Sequence, residues 1–143
     1  MPRDTQLQPA AAATLERWHQ LLGAKDLRQL PELLHPQALF RSPMAYKPYA
    51  GAPMVSLILN TVSQVFEDFV YHRELASTEG LSMVLEFSAR VADRELKGID
   101  LIRFDETGKI VEFEVMIRPL SGLQALGEEM GRRLAPLLAA AKR

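Results

Sequence analysis

The stretch Gly98–Arg118, GIDLIRFDETGKIVEFEVMIR, decides how this chain folds. Apolar and polar side chains alternate on both sides of the segment Asp105-Glu106-Thr107-Gly108, whose composition is typical of a tight turn. Alternation with a period of two is the mark of a β-strand. The stretch therefore predicts a β-hairpin.

One face of this hairpin is apolar apart from a single carboxyl group, Asp100. Pairing Phe104 with Lys109 across the turn sets a register in which Asp100 lies opposite Phe113. Because side chains alternate, the expected pocket face comprises Gly98, Asp100, Ile102, Val111, Phe113, Val115 and Ile117. The other face suits a dimer surface and carries Ile99, Leu101, Arg103, Glu112, Glu114 and Met116. A slip of one residue would exchange the two faces.

The rest of the chain divides into helices followed by strands. Residues 1–8 are expected to form a disordered tail, and residues 9–143 a single α+β domain. Pro9 opens a helix to about Leu22, and a short helical element lies near Pro31. Further elements are predicted as a strand at 38–42, a helix from 53, an antiparallel meander of strands at 68–77, 81–91, 95–104 and 109–118, and a closing helix after 119.

Composition excludes several classes of function. The chain has 143 residues, a net charge of −1 and no cysteine. Balanced charge gives no basic stripe for nucleic acid or an anionic membrane. Without cysteine there is no disulfide, thiolate chemistry or Cys-based zinc site. No secretory signal or apolar run of about 20 residues is present, so a cytoplasmic location is expected.

The order of elements resembles the nuclear-transport-factor-2-like superfamily. The strand Gly98-x-Asp100, the turn Phe104-Asp105-x-x-Gly108-Lys109-Ile110 and the following Glu112 resemble its SnoaL-like branch. The segment Arg118-Pro119-Leu120 is similar to a bacterial subgroup of that branch. The resemblance covers roughly residues 10–135.

This resemblance implies a strongly curved antiparallel sheet, wrapped into a cone whose helices close an apolar pocket, and a homodimer through the outer sheet face. Members include ketosteroid isomerase, polyketide cyclases, dehydratases, epoxide hydrolases and pure binding domains, so the fold alone does not give the function. SnoaL-like cyclases usually carry a histidine and an acid in the last strand. Here the corresponding residues are Phe113 and Val115, a departure that counts against cyclase-type aldol chemistry.

Asp100 has two interpretations. Buried among Phe and Ile side chains, its pKa would rise, and it could act as a general acid or base near neutral pH. Alternatively, it is a buried carboxyl group held by hydrogen bonds to Tyr, Trp or backbone groups, which anchors the pocket without chemistry. Asp100 is the one catalytic candidate.

The other candidates are predicted to bind ligand. Tyr46 or Tyr49, in the Pro-rich loop 43–53, could hydrogen-bond a ligand oxygen, although loop packing is the plainer interpretation. Trp18 is more typical of a core residue, and its indole N–H could donate a hydrogen bond to Asp100. His35 would cap a helix end or reach the pocket mouth. The remaining predicted pocket residues are Phe87, Ile102, Phe113 and Val115.

No cofactor or metal is expected. The histidines, His19, His35 and His72, show no metal-ligand spacing. Two functions stay open. One is a cofactor-independent isomerase, dehydratase or hydrolase that acts on an apolar cyclic or polyketide-like compound through Asp100. The other is a non-catalytic dimer that binds a small hydrophobic ligand or serves as an accessory domain.

Overall fold

The computed structural model describes residues 6–141 of the chain. Three α-helices, one 3-10 turn and six strands make up this part of the chain. Five of the strands follow the predicted order, and the short strand Tyr49–Ala50 lies in the loop 43–53, where none was predicted. Their bounds are α1 Pro9–Gly23, the 3-10 turn Leu30–Leu33, β1 Leu34–Arg41, β2 Tyr49–Ala50, α2 Ala52–Val65, β3 Glu67–Ala76, β4 Ser82–Val91, β5 Arg94–Phe104, β6 Ile110–Arg118 and α3 Leu120–Ala141.

Helix α1 forms where the apolar spacing predicts it. Pro9 lies in its first turn, where its missing N–H costs no hydrogen bond. The buried residues recur every three or four positions, which gives the helix one apolar face toward the sheet. They are Ala11, Leu15, Trp18 and Leu21.

The six strands form one mixed sheet in the order β2-β1-β6-β5-β4-β3. From β6 to β3 the strands make the antiparallel meander predicted from the sequence. Strand β1 pairs in parallel with β6, for example Phe40 with Phe113, and this pairing brings the first strand back beside the last. The α+β fold class is confirmed, and the hairpin β5–β6 lies in the middle of its sheet.

The predicted hairpin register is wrong by two residues. Asp100 lies opposite Val115 and Ile102 opposite Phe113, because Phe104 pairs with Ile110 instead of Lys109 and a β-bulge between Arg103 and Phe104 adds one more residue to β6. An even shift keeps each side chain on its face, so Asp100, Ile102, Phe113 and Val115 all point to the buried side. Val111 is the exception: it is the unpaired bulge residue and only half-buried, and Ile110 takes its expected place.

The predicted disordered tail is only partly within the described residues. Residues 1–5 lie outside them. Residues 6–8 depart from the prediction, because Leu7 is buried in the core and the Gln8 backbone N–H donates to the Gly80 carbonyl at 2.9 Å. A buried leucine and a backbone hydrogen bond attach this segment to the turn between β3 and β4.

No helix in the described part of the chain is both long enough and apolar enough to cross a membrane.

Candidate functional site

A cavity of about 350 Å³ lies between the buried face of the sheet and the helices α1, α2 and α3. Its wall is mostly apolar, with aromatic contributions from Phe40, Phe66, Phe69 and Phe113. Its size falls in the range of small-molecule sites, which are about 300–1,000 Å³ and mostly apolar with a few polar groups. Among the described residues, the polar groups on the wall belong to Trp18, Ser42, Tyr49, Ser63, Tyr71 and Asp100.

Three of these polar side chains form one hydrogen-bonded chain. The Trp18 indole Nε1–H donates to the Tyr71 hydroxyl oxygen at 3.0 Å. The Tyr71 hydroxyl donates in turn to Asp100 Oδ2 at 2.6 Å. The three residues come from α1, β3 and β5, so only the folded chain brings them together.

The second carboxyl oxygen of Asp100 is left for the cavity. Asp100 is 6% exposed and lines the cavity, and its one hydrogen bond within the described residues goes through Oδ2. In that part of the chain, Ser56 Oγ is the one side-chain oxygen or nitrogen that is both fully buried and without a hydrogen-bond partner. Oδ1 of Asp100 is therefore unpartnered but not sealed by packing, and a ligand can reach it.

Burial makes Asp100 titrate near neutral pH. Removal from water raises the pKa of its carboxyl from 3.8 to about 7, and the hydrogen bond from Tyr71 partly opposes this rise. The pKa of Tyr71 lies well above its ordinary value, because its hydroxyl is buried and lies beside the Asp100 charge. Tyr71 thus keeps its proton at every physiological pH, while Asp100 can gain or lose one.

Gly98 makes room for this arrangement. A Cβ on Gly98 would lie 2.8 Å from Cζ of Phe87, the residue opposite it on β4. Without that Cβ, the Phe87 ring fits into the sheet layer between Gly98 and Tyr71, with the Tyr71 ring edge-on at 6.5 Å. A Cβ on Gly98 would lie closer still to the Met116 carbonyl oxygen on β6, so the close approach of both neighbouring strands requires a glycine here.

The structure brings together five of the nine residues predicted for the site. Trp18, Tyr49, Asp100, Phe113 and Val115 all line the cavity. Their roles in binding or catalysis stay predictions. Their common position follows from strand alternation and from the buried stripe of α1.

The other four predicted residues lie elsewhere. Phe87 and Ile102 are both 0% exposed and belong to the packed core, since the side chains around them leave no open wall. Tyr46 is 98% exposed, because the loop carries it into solvent. His35 lies on β1 away from the cavity, and its Nδ1 accepts a hydrogen bond from the Gln37 backbone N–H at 3.0 Å.

Tyr71 is the member of the hydrogen-bonded chain that sequence reasoning missed. The strand β3 reads as mixed, because register shifts near Val70 and Glu74 interrupt its alternation. One signal was available: Phe69 and Tyr71 are aromatic residues two positions apart, which places them on one face. Both line the cavity.

The remaining histidines do not reach the cavity. His19 Nε2 lies 2.9 Å from Glu74 Oε1, and His72 Nε2 lies 2.7 Å from Ser88 Oγ. Among the described residues, no group of three or more His, Cys, Asp or Glu side chains could hold a metal ion.

Two solved structures are close enough in sequence to be relatives of this chain. It is 72% identical to a steroid delta-isomerase from Pseudomonas aeruginosa, over 93% of this chain and 97% of that one, with a TM-score of 0.91. It is 34% identical to an uncharacterised bacterial protein with a cystatin-like fold from Silicibacter pomeroyi, over 85% of each chain, with a TM-score of 0.80.

A third structure shares the fold alone. An NTF2-like protein of unknown function from Mesorhizobium loti is 17% identical, with 83% of this chain and 98% of that chain covered and a TM-score of 0.69. No protein-family model matches the chain, and no curated protein sequence does.

Proposed function

The chain belongs to the nuclear-transport-factor-2-like superfamily, and we propose that it is a cofactor-independent isomerase of an apolar cyclic ketone, with Asp100 as the group that moves the proton. The observation that carries this proposal is that Asp100, the one buried carboxyl among the described residues, has a pKa of about 7 and lines an apolar cavity. The relative named as a steroid delta-isomerase supports the reaction class.

A double-bond shift needs one group that both accepts and donates a proton. Asp100 Oδ1 would take a proton from the carbon between a carbonyl and a double bond, which leaves an enolate. It would then return the proton to the far carbon of the double bond, which brings the double bond into conjugation. A pKa near the working pH suits both steps, and the reaction consumes no water, nucleophile or oxidant.

Two hydroxyl-bearing residues complete the proposed roles. Tyr71 would hold Asp100 Oδ2, so that Oδ1 keeps a fixed direction. Tyr49, which also lines the cavity, would donate to the carbonyl oxygen as its negative charge develops. The apolar wall excludes water and strengthens both interactions.

Turnover of a 3-keto-5-ene steroid tests this proposal, since the conjugated product absorbs in the ultraviolet. We expect Asp100→Asn to lower kcat by about 100-fold to 10,000-fold, the usual contribution of a positioned acid or base. Glu86→Gln is the matched control, because it replaces an acid by its amide on the neighbouring strand but on the outer face. Wild-type rates in Asp100→Asn would remove Asp100 from the mechanism.

A binding module is the second candidate. It is favoured by the cavity wall, on which Asp100 is the one carboxyl among the described residues, and by Phe113 and Val115 in place of polar groups. In that case Trp18, the chain's one tryptophan, would report binding of the steroid by a change in fluorescence. Binding without turnover, equal in wild type and Asp100→Asn, would select this function over the isomerase.

We also propose a homodimer through the outer face of the sheet. An apolar patch crosses four strands there, formed by Leu75, Val84, Ile99, Leu101 and Met116. Leu75 is 58% exposed and Met116 45%, and neighbouring charges such as Arg73 and Glu86 pair with each other. A contiguous exposed apolar patch of this kind is typical of an interaction surface.

Sedimentation velocity tests the dimer. The wild type should sediment as a dimer at micromolar concentration, and Leu101→Lys as a monomer, because a charged side chain would replace an apolar one in the middle of the patch. Glu106→Lys in the exposed turn is the control for added charge. A wild-type monomer at all concentrations would refute the proposal. The cytoplasmic location and the lack of nucleic-acid or membrane partners stay predictions.

A further inference from the structure

Helix α3 presents small residues to the mouth of the cavity. Gly127, Gly131 and Ala135 recur every four positions, which places them on one side of the helix, and all three line the cavity. Glycine inside a helix lowers its stability relative to alanine. Two glycines in this position therefore need a reason outside the helix itself.

The two glycines have different surroundings. A Cβ on Gly127 would lie 2.6 Å from Cε and 3.0 Å from Sδ of Met44, so the Met44 side chain already fills the space above Gly127. A Cβ on Gly131 would meet no atom within 4 Å. Packing accounts for Gly127, whereas Gly131 is exposed on the cavity side of the helix, and no atom of the described residues lies in the space beside it.

A buried polar group on the wall of the same cavity points to a ligand. Asp100 is 6% exposed there, and its Oδ1 has no hydrogen-bond partner among the described residues. The cavity is thus buried and polar at Asp100, and it opens at α3, where Gly131 is exposed. A ligand that fits both ends has its oxygen at Asp100 and an extended apolar body.

We infer that Gly131 sets the length of ligand that the site accepts: its missing side chain leaves room for the far rings of a fused polycyclic compound whose oxygen-bearing ring lies at Asp100. This inference rests on the proposed function and names its ligand class. It assigns specificity to a residue that lies on a different element from Asp100 and takes no part in the chemistry.

Two phenols test the inference, because one contains the other. 2-Naphthol has two fused rings, and equilenin carries the same hydroxynaphthalene unit with two more rings. Their affinities are measured by titration of Trp18 fluorescence in wild type, in Gly131→Leu and in Glu128→Leu. Glu128→Leu adds the same side chain at an exposed position of the same helix.

We expect Gly131→Leu to weaken equilenin binding by about tenfold or more, a factor that corresponds to about 1.4 kcal/mol, and to leave 2-naphthol binding within about twofold. The melting temperature of Gly131→Leu should rise by about 2–4 °C, because leucine is a better helix former and meets no atom there. If Gly131→Leu is more stable than the wild type but binds equilenin more weakly, the leucine blocks the ligand and the loss of binding does not come from misfolding. Glu128→Leu should bind both phenols as the wild type does.

The outcomes distinguish this inference from the proposed function. If the wild type binds both phenols and Gly131→Leu weakens both alike or neither, the assignment of Gly131 is wrong and the proposed function stands. If the wild type binds neither phenol, the proposed function fails and the assignment of Gly131 fails with it.

Discussion

The two faces of this sheet shift the pKa of a carboxyl group in opposite directions, as two acids on neighbouring strands show. Asp100 of β5 faces inward, where burial raises its pKa from 3.8 to about 7. Glu86 of β4 faces outward, where its hydrogen bonds with Arg73 and then with Lys97 lower its pKa from 4.5 to about 2. Charged partners stabilise one carboxylate, and their absence destabilises the other.

The partners explain the difference more than burial alone does. The Glu86 side chain is only 12% exposed, but its carboxylate lies 2.8 Å from Arg73 Nη2 and 3.3 Å from Lys97 Nζ. Within residues 6–137, Asp100 has one hydrogen-bond donor, the neutral Tyr71 hydroxyl. Two cations therefore keep the largely buried carboxylate of Glu86 ionised. The buried carboxyl of Asp100, with one neutral donor, can gain and lose a proton near neutral pH.

The largest expected effect is on stability at neutral pH and above. Asp100→Asn places a neutral amide of similar size where the wild type must bury a charge. We expect the free energy of unfolding of this variant at pH 8 to be about 4 kcal/mol higher than that of the wild type. Urea unfolding of both proteins at a series of pH values measures this difference.

The sign of the pH dependence follows from the raised pKa. Between pH 4 and pH 7, native Asp100 holds a proton that the unfolded chain has released, so wild-type stability falls as pH rises through this window. The advantage of Asp100→Asn should therefore grow from pH 4 to pH 7 and then stay constant. An advantage independent of pH would show that Asp100 titrates at its ordinary pKa.

The next effect concerns the inner hydrogen-bonded chain. Tyr71→Phe removes the donor to Asp100 Oδ2 and leaves the buried Trp18 N–H without an acceptor, so we expect a loss of about 1–3 kcal/mol in the free energy of unfolding. The pKa of Asp100 should rise further, since the bond from Tyr71 lowers it. NMR titration of the Asp100 carboxyl carbon measures this shift.

Tyr49→Phe is the matched control for that variant. Tyr49 also lines the cavity, but its hydroxyl makes no hydrogen bond within the described part of the chain. An equal loss of stability in both variants, with Asp100 unchanged in both, would mean that the chain from Trp18 to Asp100 has no special importance.

The smallest effect is expected on the outer face. Glu86→Gln should change stability at neutral pH very little, because its partners Arg73 and Lys97 are 73% and 50% exposed, and ion pairs with exposed cations contribute little on balance. Its pH dependence should have the opposite direction to that of Asp100. Because the pKa of Glu86 is lowered, the stability that its carboxylate adds relative to glutamine is present above about pH 4.5. This contribution is lost as the pH falls toward 2. Acid unfolding followed by circular dichroism measures the difference.

Local patterns in the sequence were enough for the fold class and for the faces of the hairpin. The buried stripe of α1 and the alternation of β4 and β5 appear where they were predicted, because helical and strand periods are properties of a few consecutive residues. The superfamily resemblance is confirmed by the relatives. The position of Asp100 on the buried face follows from alternation alone.

Features that join distant segments were decided only by the tertiary structure. The bulge at Arg103 shifted the hairpin register, and the parallel pairing of β1 with β6 depends on residues about 70 positions apart. Tyr71 became the partner of Asp100 because the sheet order places β3 and β5 on either side of β4, with both side chains on the buried face.

The sequence by itself thus determined an inward carboxyl on an apolar strand face, since that depends on neighbours along the chain. Its hydrogen bond from Tyr71, its pKa near 7 and the open space beside Gly131 depend on which side chains from other elements come close. Desolvation and packing are properties of the assembled core, so only the folded chain decides them.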